Sequence, residues 1–173
     1  DLFLLDHKVV EQSPNGAIVG AIDNPAPRPD DYFGPLAADQ SHLLVASHYA
    51  PEAYIFDAQS FEILHTLQFP NPDTAFLSAA VAVSATHAVV GNFLDGTAGP
   101  GAGAVHVYDV NTGTLQQTLY SPLNLTGFFG ESVAIFGNRL LVGSSLGNGR
   151  AFVYELSTGN LLLTLTSPQA SDA

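Results

Sequence analysis

The 173-residue chain has no cysteine, no methionine and no tryptophan. Without cysteine there is no disulfide framework, no thiol nucleophile and no zinc site built on sulfur, while either redox compartment stays open. Positive charge is almost as scarce. Lys8 is the single lysine, beside Arg28, Arg139 and Arg150, against sixteen Asp and Glu, which leaves a net charge of −12. A phosphate backbone binds where a basic surface displaces its counterions, so nucleic acid is excluded as a partner. No stretch reaches the roughly 18 uninterrupted apolar residues of a membrane span, and no basic face is present to sit on anionic lipid, so membrane insertion is not expected. Charged residues make up 12% of the chain, about half of the usual ~25%. A surface carried by Ser, Thr, Asn, Gln and carboxylates fits an extracellular or cell-surface setting. A chain without methionine that opens on Asp1 and an apolar Leu2-Phe3-Leu4-Leu5 reads as a mature or excised segment with no signal peptide. Its 46% hydrophobic content and mean hydropathy of +0.21 argue for a packed core.

What the chain does have is an internal repeat, which decides architecture before any local reading. The clearest copy runs from Phe129 to Pro168, and its pieces recur upstream in the same order. An alternating run closed by an acid appears as LFLLD, AYIFD, VHVYD and AFVYE, ending at Asp6, Asp57, Asp109 and Glu155. HLLVAS from His42, HAVVGN from His87 and RLLVGS from Arg139 precede it. GAIVGAIDNP, FEILHTLQFP, GTLQQTLYSP and GNLLLTLTSP follow it, starting at Gly16, Phe61, Gly113 and Gly159.

Each piece is short, rich in β-branched, aliphatic and aromatic residues, and bounded by Gly, Pro, Asn or Asp, which is the pattern of a strand between turns. In the last copy the spacing predicts four strands, at 131–136, 140–144, 150–155 and 161–166. Gly137-Asn138 is suited to the positive φ of a two-residue hairpin turn. Four antiparallel strands repeated at about 50 residues describe the blade of an all-β propeller. A β-sandwich is the alternative, since it too is built from short strands and turns.

Phe129-Gly130 followed by SVA, LLVG, a Gly-rich loop and AFVY resembles the FG-GAP repeat, the blade of the integrin-α-type β-propeller. Phe33-Gly34 keeps the dipeptide, and Phe76-Leu77-Ser78 stands in its place in the second copy. The resemblance implies adhesion to a protein or glycan. It divides the chain into a partial blade at 1–31 and blades at 32–75, 76–127 and 128–173. The segment from Asp1 to Asp23 matches only the third and fourth strands of a blade, so about three and a half blades are expected. Propellers close on themselves with typically four to eight blades. The expected partner is therefore another chain, or missing blades, that complete the ring, or further copies joined through open strand edges.

FG-GAP-type repeats often hold calcium in an acidic loop, because a hard dication takes six to eight oxygens. In the best copy Phe136-Gly137-Asn138-Arg139 replaces that loop. Asn92 and Asp95, ahead of the Gly-rich stretch from Gly99 to Gly103, are the candidate calcium ligands, the other reading being an Asx turn. Tyr32, Tyr49, Tyr120 and Phe128 fall in connectors where a ligand can stack on an aromatic ring. Asn124-Leu125-Thr126 is a glycosylation sequon, meaningful only in a eukaryotic secreted protein. Asp30 and Asp31 are an adjacent carboxylate pair near Arg28. Asp57, Asp109 and Glu155 read as acceptors for the amides of their own turns. No GxSxG and no HExxH is present, and the six histidines show no ligand spacing. These residues point to a binding, adhesion or assembly module. The alternative is a propeller-type lyase or hydrolase with Asp39, Asp73 and Asp95 converging on the axis.

Overall fold

The computed structural model describes residues 2–5, 8–15, 17–28, 33–71, 78–123, 127–145 and 149–167. Among them there is no helix, and hence no helix long and apolar enough to cross a membrane. Fifteen strands form four antiparallel sheets. The first sheet holds β1 (Leu2–Leu5), β2 (Lys8–Gln12) and β3 (Ile18–Asp23). The second holds β4 (Phe33–Ala38), β5 (His42–Ser47), β6 (Glu52–Asp57) and β7 (Ile63–Gln68). The third holds β8 (Ser78–Val83), β9 (His87–Asn92), β10 (Ala104–Asp109) and β11 (Leu115–Tyr120). The fourth holds β12 (Ser132–Phe136), β13 (Arg139–Ser144), β14 (Arg150–Glu155) and β15 (Leu161–Thr166). Within each sheet the strands lie side by side in chain order.

The same irregularity recurs in every sheet. The register between the last two strands shifts at Glu11/Gln12, Ile55/Phe56, Val107/Tyr108 and Val153/Tyr154. That bulge, which bends and twists a ladder locally, corrects the reading of the N-terminus. LFLL was expected as a third strand closing at Asp6, but it is β1, and the bulged third-strand place belongs to β2. Ser13 then stands where Asp57, Asp109 and Glu155 stand. Its N–H bonds Ala17 O at 2.9 Å, as Asp109 N–H bonds Thr114 O at 2.9 Å. The first sheet therefore lacks one strand, the counterpart of β4, β8 and β12, rather than two.

The core lies between sheets. Leu44, Ile55 and Leu67 of the second sheet pack against Ala88, Val90 and Tyr108 of the third. Val89, Val107 and Leu119 of the third pack against Phe129, Leu140, Val142, Phe152 and Tyr154 of the fourth. Ile22 of the first meets Phe33, Leu43, Tyr54 and Phe56 of the second. Each fully buried Leu or Phe contributes on the order of 1.5–3 kcal/mol, so this sideways stacking supplies most of the stability.

One aromatic contact recurs within a blade, and one glycine contact recurs between blades. Phe33 sits edge-on to Tyr54 and Phe56, with ring centroids 6.1 and 6.5 Å away. Phe129 packs on Phe152 with the rings tilted, at 5.6 Å, and edge-on to Tyr154 at 6.1 Å. At the opposite end, Gly113 (φ 69°) and Gly159 (φ 71°) leave room for His65 and Gln117 of the preceding sheet. His65 Nε2 lies 2.9 Å from Asn111 O, and Gln117 Nε2 donates to Leu156 O at 2.8 Å. Phe61 holds the equivalent turn position with φ 60°, and its ring occupies the space over Gly20.

Candidate functional site

Because each complete sheet has four antiparallel strands, its connections alternate between two ends. The β4–β5, β8–β9 and β12–β13 turns share one end with the β6–β7, β10–β11 and β14–β15 turns. The β5–β6, β9–β10 and β13–β14 loops and the connectors between sheets share the other. The first end is closed by its own acids. Asp57 Oδ1 accepts from Gln59 N at 2.9 Å and Ser60 N at 2.7 Å. Asp109 Oδ1 accepts from Asn111 N at 2.9 Å and Thr112 N at 3.0 Å. The expectation for these two acids holds, and the amides of Ser60 and Asn111 are the leading cause of their lowered pKa. Glu155 differs: its longer carboxylate takes the Thr158 hydroxyl at 2.6 Å rather than an amide. Asp39 belongs to this end too. Burial opposes its charge, but the amides of Ser41 and His42 and the His42 ring prevail and lower its pKa.

The loop end carries the candidate binding residues. Tyr49, in the β5–β6 loop, is 55% exposed, and Tyr120, at the end of β11, is 37% exposed. Phe128, in the connector to the fourth sheet, takes φ 53° and sets its ring edge-on to Phe93 at 5.4 Å, so it is half-buried and braced. Tyr32 and Asn124 lie outside the described residues, as do Asp30, Asp31 and Asp73. Arg28 Nη2 bonds Glu52 Oε1 at 3.0 Å.

Asn92 and Asp95 are both buried. Asn92 Oδ1 accepts from Leu94 N at 3.3 Å and Asp95 Oδ1 from Thr97 N at 2.8 Å, the arrangement of an Asx turn. Among the described residues, no three His, Asp or Glu side chains are grouped to hold a metal. Beside Asp95 lies a group that sequence reasoning passed over. His106 is buried, stacked on Phe69 at 5.8 Å, with Nδ1 3.2 Å from Thr118 Oγ1. Burial pushes its pKa down to about 4, and the charge of Asp95 offsets only part of that. Its signal was present, since AYIFD, VHVYD and AFVYE align His106 with Tyr54 and Phe152. The proposed convergence of Asp39 and Asp95 is not observed: one lies at the turn end and the other, buried, at the loop end.

Among the described residues, exposed leucines gather on the outward face of the fourth sheet. Leu67, Leu119 and Leu165 hold one ladder position, opposite Ala53, Val105 and Ala151. They are 0%, 9% and 45% exposed. The first two are covered by the next sheet and the third by nothing described. Leu163, beside Val153 in the same ladder, is likewise exposed.

No family model matches the chain, and no curated protein does. Solved structures do. A chain of the mitotic checkpoint complex superposes with a TM-score of 0.69 at 17% identity, covering 95% of this chain and 46% of that one. Hydrazine synthase of Kuenenia stuttgartiensis gives 0.67 at 13%, over 93% of this chain and 43% of that one. A europium-containing methanol dehydrogenase gives 0.58 at 17%, over 78% and 26%. These neighbours are of β-propeller type. The fold is a β-propeller. Its sheets are blades, and the chain spans less than half the length of the propeller chains it matches.

Proposed function

We propose that this chain is a non-catalytic binding and assembly module of FG-GAP-like type. It works in an extracellular setting, recognises a protein or glycan at its loop end, and joins the rest of its ring through the open blade face. The observation that carries the assembly half is the Leu67, Leu119 and Leu165 series. A face buried in two successive blades is bare in the third, and an apolar patch of that kind marks an interaction surface. The charge-poor, lysine-poor composition supports the extracellular setting. Exposed Tyr49 and Tyr120 at one end support stacking recognition. The distribution of described carboxylates favours binding over glycoside chemistry, since Asp39 and Asp95 sit at opposite ends.

Sedimentation of the 18.1 kDa chain, with a hydrophobic dye as a second readout, tests the assembly half. The parent, with its apolar face bare, should bind dye and associate without a defined stoichiometry. Leu163→Asp combined with Leu165→Asp should give a monodisperse monomer with unchanged circular dichroism. A parent that is already a monomer blind to the dye overturns the reading. For the recognition half, Tyr49→Ala with Tyr120→Ala should leave stability within about 0.5 kcal/mol and lose retention on a glycan array; unaltered retention overturns it.

A further inference from the structure

The open face carries a more specific feature at its loop end, and the occupied counterpart of that feature lies where the third and fourth blades meet. The Phe129-Gly130 corner is held backbone to backbone against the third blade. A Cβ on Gly91 would fall on the carbonyl oxygen of Gly130, and a Cβ on Gly103 (φ 80°) would fall on that of Phe129. A Cβ on Gly130 itself (φ 91°) would lie 2.7 Å from Ala104 O. Phe129 N–H donates to Ala102 O at 3.2 Å. Gly91 and Gly103 are thus the seat that admits the corner, a use of strand glycine where another backbone comes close.

The fourth blade repeats that seat with no occupant among the described residues. Gly143 lies opposite Ala151 as Gly91 lies opposite Val105. Gly149 precedes Arg150 as Gly103 precedes Ala104, and it too has a positive φ, 62°. Yet a Cβ on Gly149 would meet nothing within 4 Å, and one on Gly143 would meet only Ser132. Both glycines line a hollow of about 460 Å³ with Glu131, Arg150 and Leu165. The surface around it copies the occupied one. Ala82, Val89, Val105, Val107 and Leu119 of the third blade take up the ladder places that Ala134, Leu141, Ala151, Val153 and Leu165 hold in the fourth.

We propose that Gly143 and Gly149 form the seat for the aromatic–glycine corner of a further four-stranded blade, and that such a blade is the partner of the open face. The proposal rests on the open-face reading above and names its occupant. A second copy of this chain does not fit. Its free end is the first sheet, ordered β1-β2-β3, which lacks the strand that follows the corner elsewhere. Its Phe33 is already packed in the cluster with Ile22.

The test extends the chain by one blade. Residues 168–173 are replaced by a second copy of 122–167, joined at Ser167, which follows β15 as Ser121 follows β11. The extended chain should melt in one transition several degrees above the parent and lose dye binding. Gly143→Val should barely move the parent, where only the Ser132 side chain must turn away, and should cancel the gain in the extended chain. Gly143→Ala repeats the comparison if the valine variant folds poorly. A gain that survives both substitutions overturns the seat and leaves the open-face reading intact. An extended chain with no gain overturns the further blade as partner. A parent dimer broken by Gly143→Val makes the second copy the occupant and overturns the proposal. The separate Leu163→Asp, Leu165→Asp measurement reports on the open-face reading itself.

Discussion

The ring of Phe61 fills the space that Gly20 leaves on the neighbouring sheet, while at the next two interfaces the large and small partners change sides: Gly113 faces His65 and Gly159 faces Gln117. Phe61 accepts a left-handed backbone, φ 60°, that costs a non-glycine residue on the order of 1–2 kcal/mol. The ring's burial over Gly20 offsets that cost. Gly20→Gln should therefore collide with Phe61 and destabilise by about 1–3 kcal/mol. Adding Phe61→Gly should restore most of the loss, because the pair then matches the Gln117 and Gly159 arrangement. Urea unfolding of the two single variants and the double variant measures this, and simple additivity would contradict it.

Acid sensitivity should come in two stages. His106 is buried and its pKa is lowered to about 4, below its ordinary 6.5, so the unfolded chain binds the proton more readily than the folded one. Stability is full above about pH 6.5 and declines by roughly 3 kcal/mol as pH falls to about 4. His106→Phe, which places a ring where Tyr54 and Phe152 have theirs, should flatten that limb in melts recorded against pH. Asp39, Asp57 and Asp109 act lower. Their folded pKa values lie below the ordinary carboxylate value of 3.8, so their contribution is present above it and is lost as pH falls through the folded values. A His106→Phe variant with the parent's pH profile above 4 would contradict the assignment.

Tyr108 and Tyr154 hold equivalent places with opposite expectations. The Tyr108 hydroxyl donates to Gln68 O of the preceding blade at 3.0 Å. The buried Tyr154 hydroxyl has no hydrogen-bond partner among the described residues, and burial pushes its pKa up to about 12. Tyr108→Phe should cost about 1 kcal/mol, whereas Tyr154→Phe should be neutral or slightly stabilising. Equal losses in thermal unfolding would contradict the contrast.

The blades were legible because their chemistry is local. Asp109 with its turn and Gly137-Asn138 with its hairpin announce themselves within a few residues, and the strand limits of the last copy fall within one residue of expectation. The first sheet was not legible for the same reason. LFLLD imitates a third strand, whereas the true one, Lys8–Gln12, closes on Ser13, and only the bulge to β3 identifies it. His106 was read as one of six histidines without ligand spacing, when its position calls for an aromatic ring. Asp39 and Asp95 resemble a carboxylate set in the sequence, but the end of the sheet that each reaches depends on how many strands precede it, a property of no single segment. The seat at Gly143 was hidden as well, since a strand glycine shows its purpose only beside the backbone that presses on Gly91.

An even number of strands per blade gives the molecule a division of labour. The turn end is committed to acids and glycines that tie down their own backbone, so little can change there without loosening the scaffold. The loop end carries longer connections, and its obligations are concentrated at the Asn92 and Asp95 turns and the Phe129-Gly130 corner. Between those fixed points the surface is free to change residue by residue, while the opposite side keeps the framework in shape.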